Sequence, residues 1–266
     1  MKEKKPTRRN FLVSAILAGT GAGLLPLSSF TASREVNIAG NDSEKDLVFL
    51  FQGDSITDGN RGRNTDPNHI MGHGYAFSIA SRIGADFPAS GFSFYNRGIS
   101  GNTVSDLQKR WQEDTLRIQP DVLSILIGIN DVNAVTEARP DALTVDQFEN
   151  VYRQLLKDMQ AIKPDVLFVL GLPFVYAVGK RKENWNGWEQ ETLQRAARVK
   201  ELAREFNAVL IDYPMVFDKA ISKAPQEYWI WDGVHPTVPA HELMARAWIS
   251  GVRQRLHFLK KYISDK

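Results

Sequence analysis

With 266 residues, 43% of them apolar and 24% charged, the chain is long and apolar enough to bury a sizeable core, which excludes a disordered chain. A formal charge of +2, from 33 basic and 31 acidic side chains, excludes broad electrostatic attraction to nucleic acid or anionic membranes. The absence of cysteine removes disulfides, thiolate metal sites, a cysteine nucleophile and a lipidated cysteine.

The N-terminus has a basic start, an apolar stretch from Phe11 to Leu27 thinned by Gly, Ser and Thr, and small residues up to Ala32. That is the layout of an export signal, and Pro26 with the neighbouring glycines argues against a stable membrane anchor. Arg8-Arg9 followed by Asn10-Phe11-Leu12 is similar to the twin-arginine signal of proteins exported folded, with Val13 where that signal often has Lys. We expect a signal over 1–32, a linker over 33–44 and one domain over 45–266, located in the periplasm or outside the cell and not inserted in a membrane. Cleavage after Ala32 would remove Lys2, Glu3, Lys4, Lys5, Arg8 and Arg9 and bring the formal charge from +2 to −2.

From residue 45 onward, apolar runs of strand length recur at 46–52 (DLVFLFQ), 92–96 (FSFYN), 121–127 (DVLSILI), 166–171 (VLFVLG) and 208–212 (AVLID). Most are continuous rather than alternating, as strands covered on both faces are. Helical spacing fills the intervals, at about 74–86, 103–118, 144–163 and 187–206, and again near 239–258. Thr103 stands as an N-cap, with Val104, Leu107, Trp111 and Leu116 on one side of the helix that follows. Alternating strand and helix predicts a three-layer α/β domain around a parallel sheet.

In such sheets ligands sit outside the carboxyl ends of the strands, so the strand exits hold the candidate site. They read Gly53-Asp54-Ser55, Asn96-Arg97-Gly98, Gly128-Ile129-Asn130-Asp131 and, beyond the last strand, Trp231-Asp232-Gly233-Val234-His235-Pro236. A serine hydroxyl becomes a nucleophile when a base takes its proton, which makes Ser55 the candidate nucleophile and His235 its base. Asp232, three residues before His235, can fix the imidazole tautomer and stabilise its charged form. An oxyanion needs donors in place, and the N–H groups of Ser55 and Gly98 and the amide of Asn130 are the candidates. Asp54 and Asp58 read as turn-forming and site-supporting, and Asp131 as orienting its loop. No GxSxG elbow occurs, which argues against the α/β-hydrolase arrangement. His69 and His73 lie in the loop after the serine turn, His241 in the last helix and His257 in the tail. Neither of the last two has the acidic partner or spacing of a metal site, and no metal or organic cofactor is expected.

GDSITDG, NRGISGNT, IGIND and DGVHP, in this order, resemble the blocks of the GDSL or SGNH hydrolases over about residues 46–250, with Ile56 in place of the leucine of the first name. The resemblance implies Ser55 as nucleophile, Asp232 and His235 as its partners, Gly98 and Asn130 as oxyanion donors, and a flavodoxin-like sheet of order 2-1-3-4-5. It also implies a carboxylic ester hydrolase. Trp229 and Trp231 precede Asp232, Trp185 and Trp188 follow the fourth strand, and such rings can stack on sugars or close a core. Arg61, Arg63 and Arg97 could hold a carboxylate or phosphate, or simply be solvated. The candidate substrate contacts are Trp231, Arg97 and Asp54. No long apolar loop offers itself as a lid for acyl tails, and several family members remove acetyl groups from polysaccharide. The expected activity is therefore hydrolysis of short acyl esters, foremost O-acetyl groups on carbohydrate, with a small-molecule or polysaccharide ester as partner and no nucleic acid. A lysophospholipase or arylesterase differs in acyl-chain preference, and a noncatalytic carbohydrate-binding protein would show no turnover.

Overall fold

The structure, a computed structural model, describes residues 44–261; the expected signal, the expected linker up to residue 43 and residues 262–266 lie outside them. Five strands form one parallel sheet: β1 (Val48–Gly53), β2 (Ser93–Asn96), β3 (Val122–Leu126), β4 (Leu167–Gly171) and β5 (Val209–Ile211), in the spatial order β2-β1-β3-β4-β5. The order is the one implied by the family resemblance. Successive side chains of β1 go to opposite faces: Phe49 and Phe51 join one core and Leu50 the other, all fully buried. This is why the run reads as uninterrupted apolar sequence. β2 differs because it is an edge strand, and its Tyr95 is exposed.

After β1 comes a single turn, α1 (Ser55–Asp58), then α2 (Tyr75–Asp86). α2 packs against α9 (Val238–Val252), and with α7 (Tyr213–Ile221) and the short α8 (Gln226–Trp229) they form the layer on the Phe49 side. Trp248, buried at the centre of that layer, donates its indole N–H to Ser124 of β3 at 3.0 Å. The Leu50 face is covered by α3 (Val104–Trp111), α5 (Val145–Ile162) and α6 (Trp185–Glu205); α4 (Ile129–Thr136) follows β3 and contacts α6. Capping boxes start α3, through Thr103 and Asp106, and α5, through Thr144 and Gln147.

The sequence predicts a continuous helix over 103–118, but the α-helix ends at Trp111 and passes into a π turn, Gln112–Leu116. The side chain of Gln52, buried in β1, donates to the Asp114 carbonyl at 2.9 Å and to Thr115 Oγ1 at 2.8 Å. A wide turn leaves that carbonyl for one hydrogen of the buried amide, the other going to Thr115 Oγ1. The last predicted helix stops at Val252, with a 3-10 turn at His257–Lys261.

Candidate active site

β2 lies on one side of β1, whereas β3, β4 and β5 lie on the other. The chain therefore leaves β1 in one direction and β3 in the opposite one, and a crevice opens between their carboxyl ends. Ser55 follows β1 and Asn130 follows β3, so topology alone sets them beside each other.

Asp54 caps α1: its Oδ1 accepts the Ile56 N–H at 3.0 Å, and among the described residues the Ser55 N–H has no acceptor. Ser55 Oγ lies 2.8 Å from His235 Nε2, and His235 Nδ1 lies 2.7 Å from Asp232 Oδ2. A carboxylate only accepts, so Nδ1 carries the proton and Nε2 is left to receive the one on Ser55. The other oxygen of Asp232 accepts the N–H groups of Val234 and His235 at 3.0 and 2.7 Å. Partial burial works to raise the Asp232 pKa, but the His235 ring and these two N–H groups outweigh it and hold the carboxyl down at about 2. The hydrogen bond to Asp232 raises His235 above its ordinary 6.5, against burial, which lowers it. Trp231, 62% exposed, stacks on the imidazole with ring centres 6.1 Å apart.

Asn130 donates one amide hydrogen to the Asn102 carbonyl at 3.1 Å, which fixes the amide against the 100–102 turn and leaves its second hydrogen free. The next residue, Asp131, is buried and accepts the Val104 N–H at 3.2 Å, tying the start of α4 to the start of α3. Its expected orienting role thus extends across two elements. Asp58, also buried, receives both terminal nitrogens of Arg63 at 3.0 and 2.7 Å, the Ser100 N–H at 2.9 Å and the Ser100 hydroxyl at 3.0 Å. It holds the loop after β2 against the serine turn.

Two expected site residues take other places. The Gly98 N–H is claimed by Asn96 Oδ1 at 2.9 Å, so it is not free for an oxyanion. A Cβ at Gly98 would lie 2.4 Å from the Asp58 N, so glycine is needed there for packing against α1. Two positions on, Gly101 is exposed, its N–H has no acceptor among the described residues, and the Asn102 carbonyl beside it holds the Asn130 amide. The repeated glycine in NRGISGNT is the signal for it, but sequence alone does not show which N–H the Asn96 side chain takes. Asp54, a candidate substrate contact, is only 1% exposed and sits beneath Ser55. Its Oδ2 is buried with no partner, and burial pushes its pKa up to about 7.

His69 is exposed and lies 3.5 Å from Asp66, while His241 Nδ1 accepts the Tyr75 N–H at 3.1 Å and burial lowers it to about 4. Among the described residues no group of three or more His, Asp or Glu side chains is arranged to hold a metal ion, and no helix is long and apolar enough to cross a membrane. A hollow of about 690 Å³ lined by Val135, Leu143, Thr144, Glu191 and Arg198 includes none of the triad.

Comparison with known proteins places the chain in a family. The profile of the GDSL-like Lipase/Acylhydrolase family matches residues 51–243. The chain belongs to that family. An acetylxylan esterase from Geobacillus stearothermophilus is 33% identical over 207 residues, covering 76% of this chain and 91% of the relative. A crystal structure described as a GDSL-like lipase from Parabacteroides merdae superposes with a TM-score of 0.74 at 38% identity, over 81% of this chain and 97% of the other. The Geobacillus acetylxylan esterase itself superposes with a TM-score of 0.70 at 31% identity, over 78% and 94%. Variants of that esterase with a serine or an aspartate replaced by alanine are described as catalytic mutants. As a GDSL-like acylhydrolase, the protein is a carboxylic ester hydrolase.

Proposed function

We propose that this acylhydrolase removes O-acetyl groups from carbohydrate through an acyl-serine intermediate. The observation that carries the proposal is the unbroken hydrogen-bonded chain from Ser55 through His235 to Asp232, in a fold shared with an acetylxylan esterase. Ser55 Oγ attacks the acetyl carbonyl while its proton passes to His235 Nε2, and Asp232 stabilises the imidazolium that forms. The oxyanion is received by the Ser55 N–H, the Gly101 N–H and the free amide hydrogen of Asn130, with Gly101 taking the role first expected of Gly98. His235 returns the proton to the departing sugar hydroxyl, and a water activated by the same imidazole releases acetate from Ser55. Trp231 stands beside the imidazole with an open ring face, which suits a sugar ring carrying the ester. The basic, apolar N-terminus supports export to where such polysaccharides lie.

Hydrolysis of p-nitrophenyl esters from acetate to decanoate, by the protein and by Ser55→Ala, tests this. Fast acetate turnover that declines with chain length and disappears in the variant supports the acetylesterase. A rate that rises with chain length refutes the acetyl assignment and points to lipid esters.

A further inference from the structure

Four arginines crowd the β2 side of the serine turn, and among the described residues the carboxylates nearest to them are Asp58 and Asp114. Arg63 is used up by Asp58 and by the Arg61 carbonyl at 2.8 Å. Arg110 is used up as well: it donates to Asn102 Oδ1 at 2.8 Å, the Arg97 carbonyl at 2.7 Å, Asp114 Oδ2 at 3.0 Å and, at 3.4 Å, the Gly53 carbonyl. Arg61 spends only its Nε, on the Gly98 carbonyl at 2.9 Å. The Nε of Arg97 is buried without a hydrogen-bond partner, and its nearest carboxylate, Asp114, lies 3.8 Å away and already serves Arg110. The nearby Asp106 is engaged by Lys109 and Thr103. Among the described residues, the terminal nitrogens of Arg61 and Arg97 therefore have no acceptor.

This is an unbalanced arrangement. Burial, together with the like charges of Arg63 and Arg97, pulls the Arg61 guanidinium down to about 10. A solvated surface arginine would swing away from such neighbours; Arg61 is instead half-buried and pinned by its Nε. The cluster adjoins the two segments that carry Ser55 and Gly101, the turn after β1 and the loop after β2. Arg61 follows α1 by three residues, Arg97 follows β2 directly, and the Ser100 that binds Asp58 adjoins Gly101. Tyr95, 37% exposed, carries the Arg97 guanidinium 5.9 Å from its ring centre, which extends the surface with a flat face.

We propose that Arg61 and Arg97 form a subsite for a carboxylate on the acylated sugar, so that the preferred substrate is an O-acetylated acidic sugar. The inference rests on the acetylesterase reading of the same site. Planar guanidinium forks match a carboxylate in two parallel hydrogen bonds, and forks already held in place lose little freedom on binding. The bound anion would bring the local charges closer to balance while its ring lies toward the triad.

The decisive comparison uses the full chain with mono-O-acetyl glucuronic acid and mono-O-acetyl glucose, which differ only at C6. The expected result is a kcat/KM about ten-fold or more higher for the acid, as a charge-assisted pair gives. The advantage should shrink as salt is raised and collapse in Arg61→Gln/Arg97→Gln. The ratio compares two substrates on one protein, so a loss of folded material in the variant cancels. Equal kcat/KM values, or a ratio that survives the double replacement, overturn the proposal. Calorimetry on Ser55→Ala reads the subsite without turnover: glucuronate should bind and glucose should not. Failure of glucuronate to bind, or tighter binding of inorganic phosphate or sulfate, overturns the carboxylate assignment. Loss of the esterase reading would look different, as glucuronate binding without serine-dependent hydrolysis of any ester.

Discussion

Replacing Asp54 with Asn should change how stability depends on pH, because the carboxyl behind the nucleophile is buried without a full set of partners. Asp54 is 1% exposed, one oxygen accepts the Ile56 N–H, and the other has no partner. Burial raises its pKa from 3.8 to about 7, so the folded state favours the protonated form. The stability linked to this group is complete below pH 3.8, is lost as pH rises towards 7, and changes no further above that. At roughly 1.4 kcal/mol per pH unit the loss is about 4 kcal/mol in all, of which about 2.5 kcal/mol falls between pH 5 and pH 8. Asn has the same shape, can keep the cap through its Oδ1, and cannot ionise. Its amide placed where the unpartnered oxygen lies costs about 1–3 kcal/mol at every pH, so the informative quantity is the change with pH. Urea unfolding of both proteins at pH 5 and pH 8 should show the variant gaining about 2.5 kcal/mol on the wild type across that interval. His235 interacts with Asp54 and its own pKa is raised by Asp232, so the pair of measurements is repeated in a His235→Asn background, where the gain should persist. A constant difference between wild type and variant would refute the argument and mean that Asp54 is ionised in the folded protein throughout.

Asp232→Asn should lower kcat by about 10³–10⁴-fold, since the amide can hold the wrong imidazole tautomer towards Ser55. In the wild type the acid limb of the kcat/KM profile should lie above the ordinary imidazole value of 6.5, because Asp232 stabilises the charged ring; in the variant that limb should move to lower pH. Asn130→Ala should cost about 10²–10³ in kcat with a smaller effect on KM, read in steady-state kinetics, because its amide acts on charge that develops in the transition state. Gly233→Ala should lose activity while the Asp232 to His235 pair survives: φ is +92° there and a Cβ would lie 2.6 Å from the Tyr176 carbonyl. That strain, of order 1–3 kcal/mol, should appear as a lower Tm, and an imidazole pKa still raised by Asp232, followed by NMR, would show the intact pair.

The parts of this protein legible in its sequence are those set by near neighbours. All five strands are found as apolar runs because helices cover both faces of the sheet, and Asp232 and His235 are found because they are three residues apart in one loop. The shorter helices span too few turns for a periodicity to stand out from the sequence, although α7 carries a readable start: Asp212 accepts the Met215 N–H at 3.0 Å and Pro214 occupies the first turn. What the sequence could not show is competition between remote groups for one hydrogen. Gly98 and Gly101 are equivalent candidates until the Asn96 side chain is seen to take the Gly98 N–H. Likewise Asp54 reads as a polar residue beside Ser55, and only its near-complete burial in the fold shows that substrate does not reach it. The arginines give the same lesson in charge: which of them are already spent depends on carboxylates up to 17 positions away, as for Arg97 and Asp114.

The proposed triad is built in two halves with different sources of order. Ser55 belongs to the sheet: it follows a strand buried from Phe49 to Gly53, and Asp54 and Asp58 fix the turn on either side of it. The Asp232 and His235 pair belongs to itself, since the ring contact and both N–H bonds to Asp232 form within four consecutive residues. The hairpin that carries it is closed by the Ile230 to Pro236 bridge and by the Thr237 N–H and hydroxyl on Trp229 and Tyr228. Its attachment to the sheet side of the molecule includes the Tyr176 N–H on the Gly233 carbonyl at 2.8 Å and the packing of Tyr176 and Val178 beneath it. A displacement of the hairpin as a unit therefore disturbs its attachment at Tyr176, leaves the dyad whole and separates it from Ser55 at the 2.8 Å contact with His235. That contact is the coordinate most exposed to change, and a nucleophile 1 Å out of place can cost about 100-fold in rate. Residues with no part in the chemistry, Tyr176 and Val178 above all, thereby act on catalysis through the position of the hairpin.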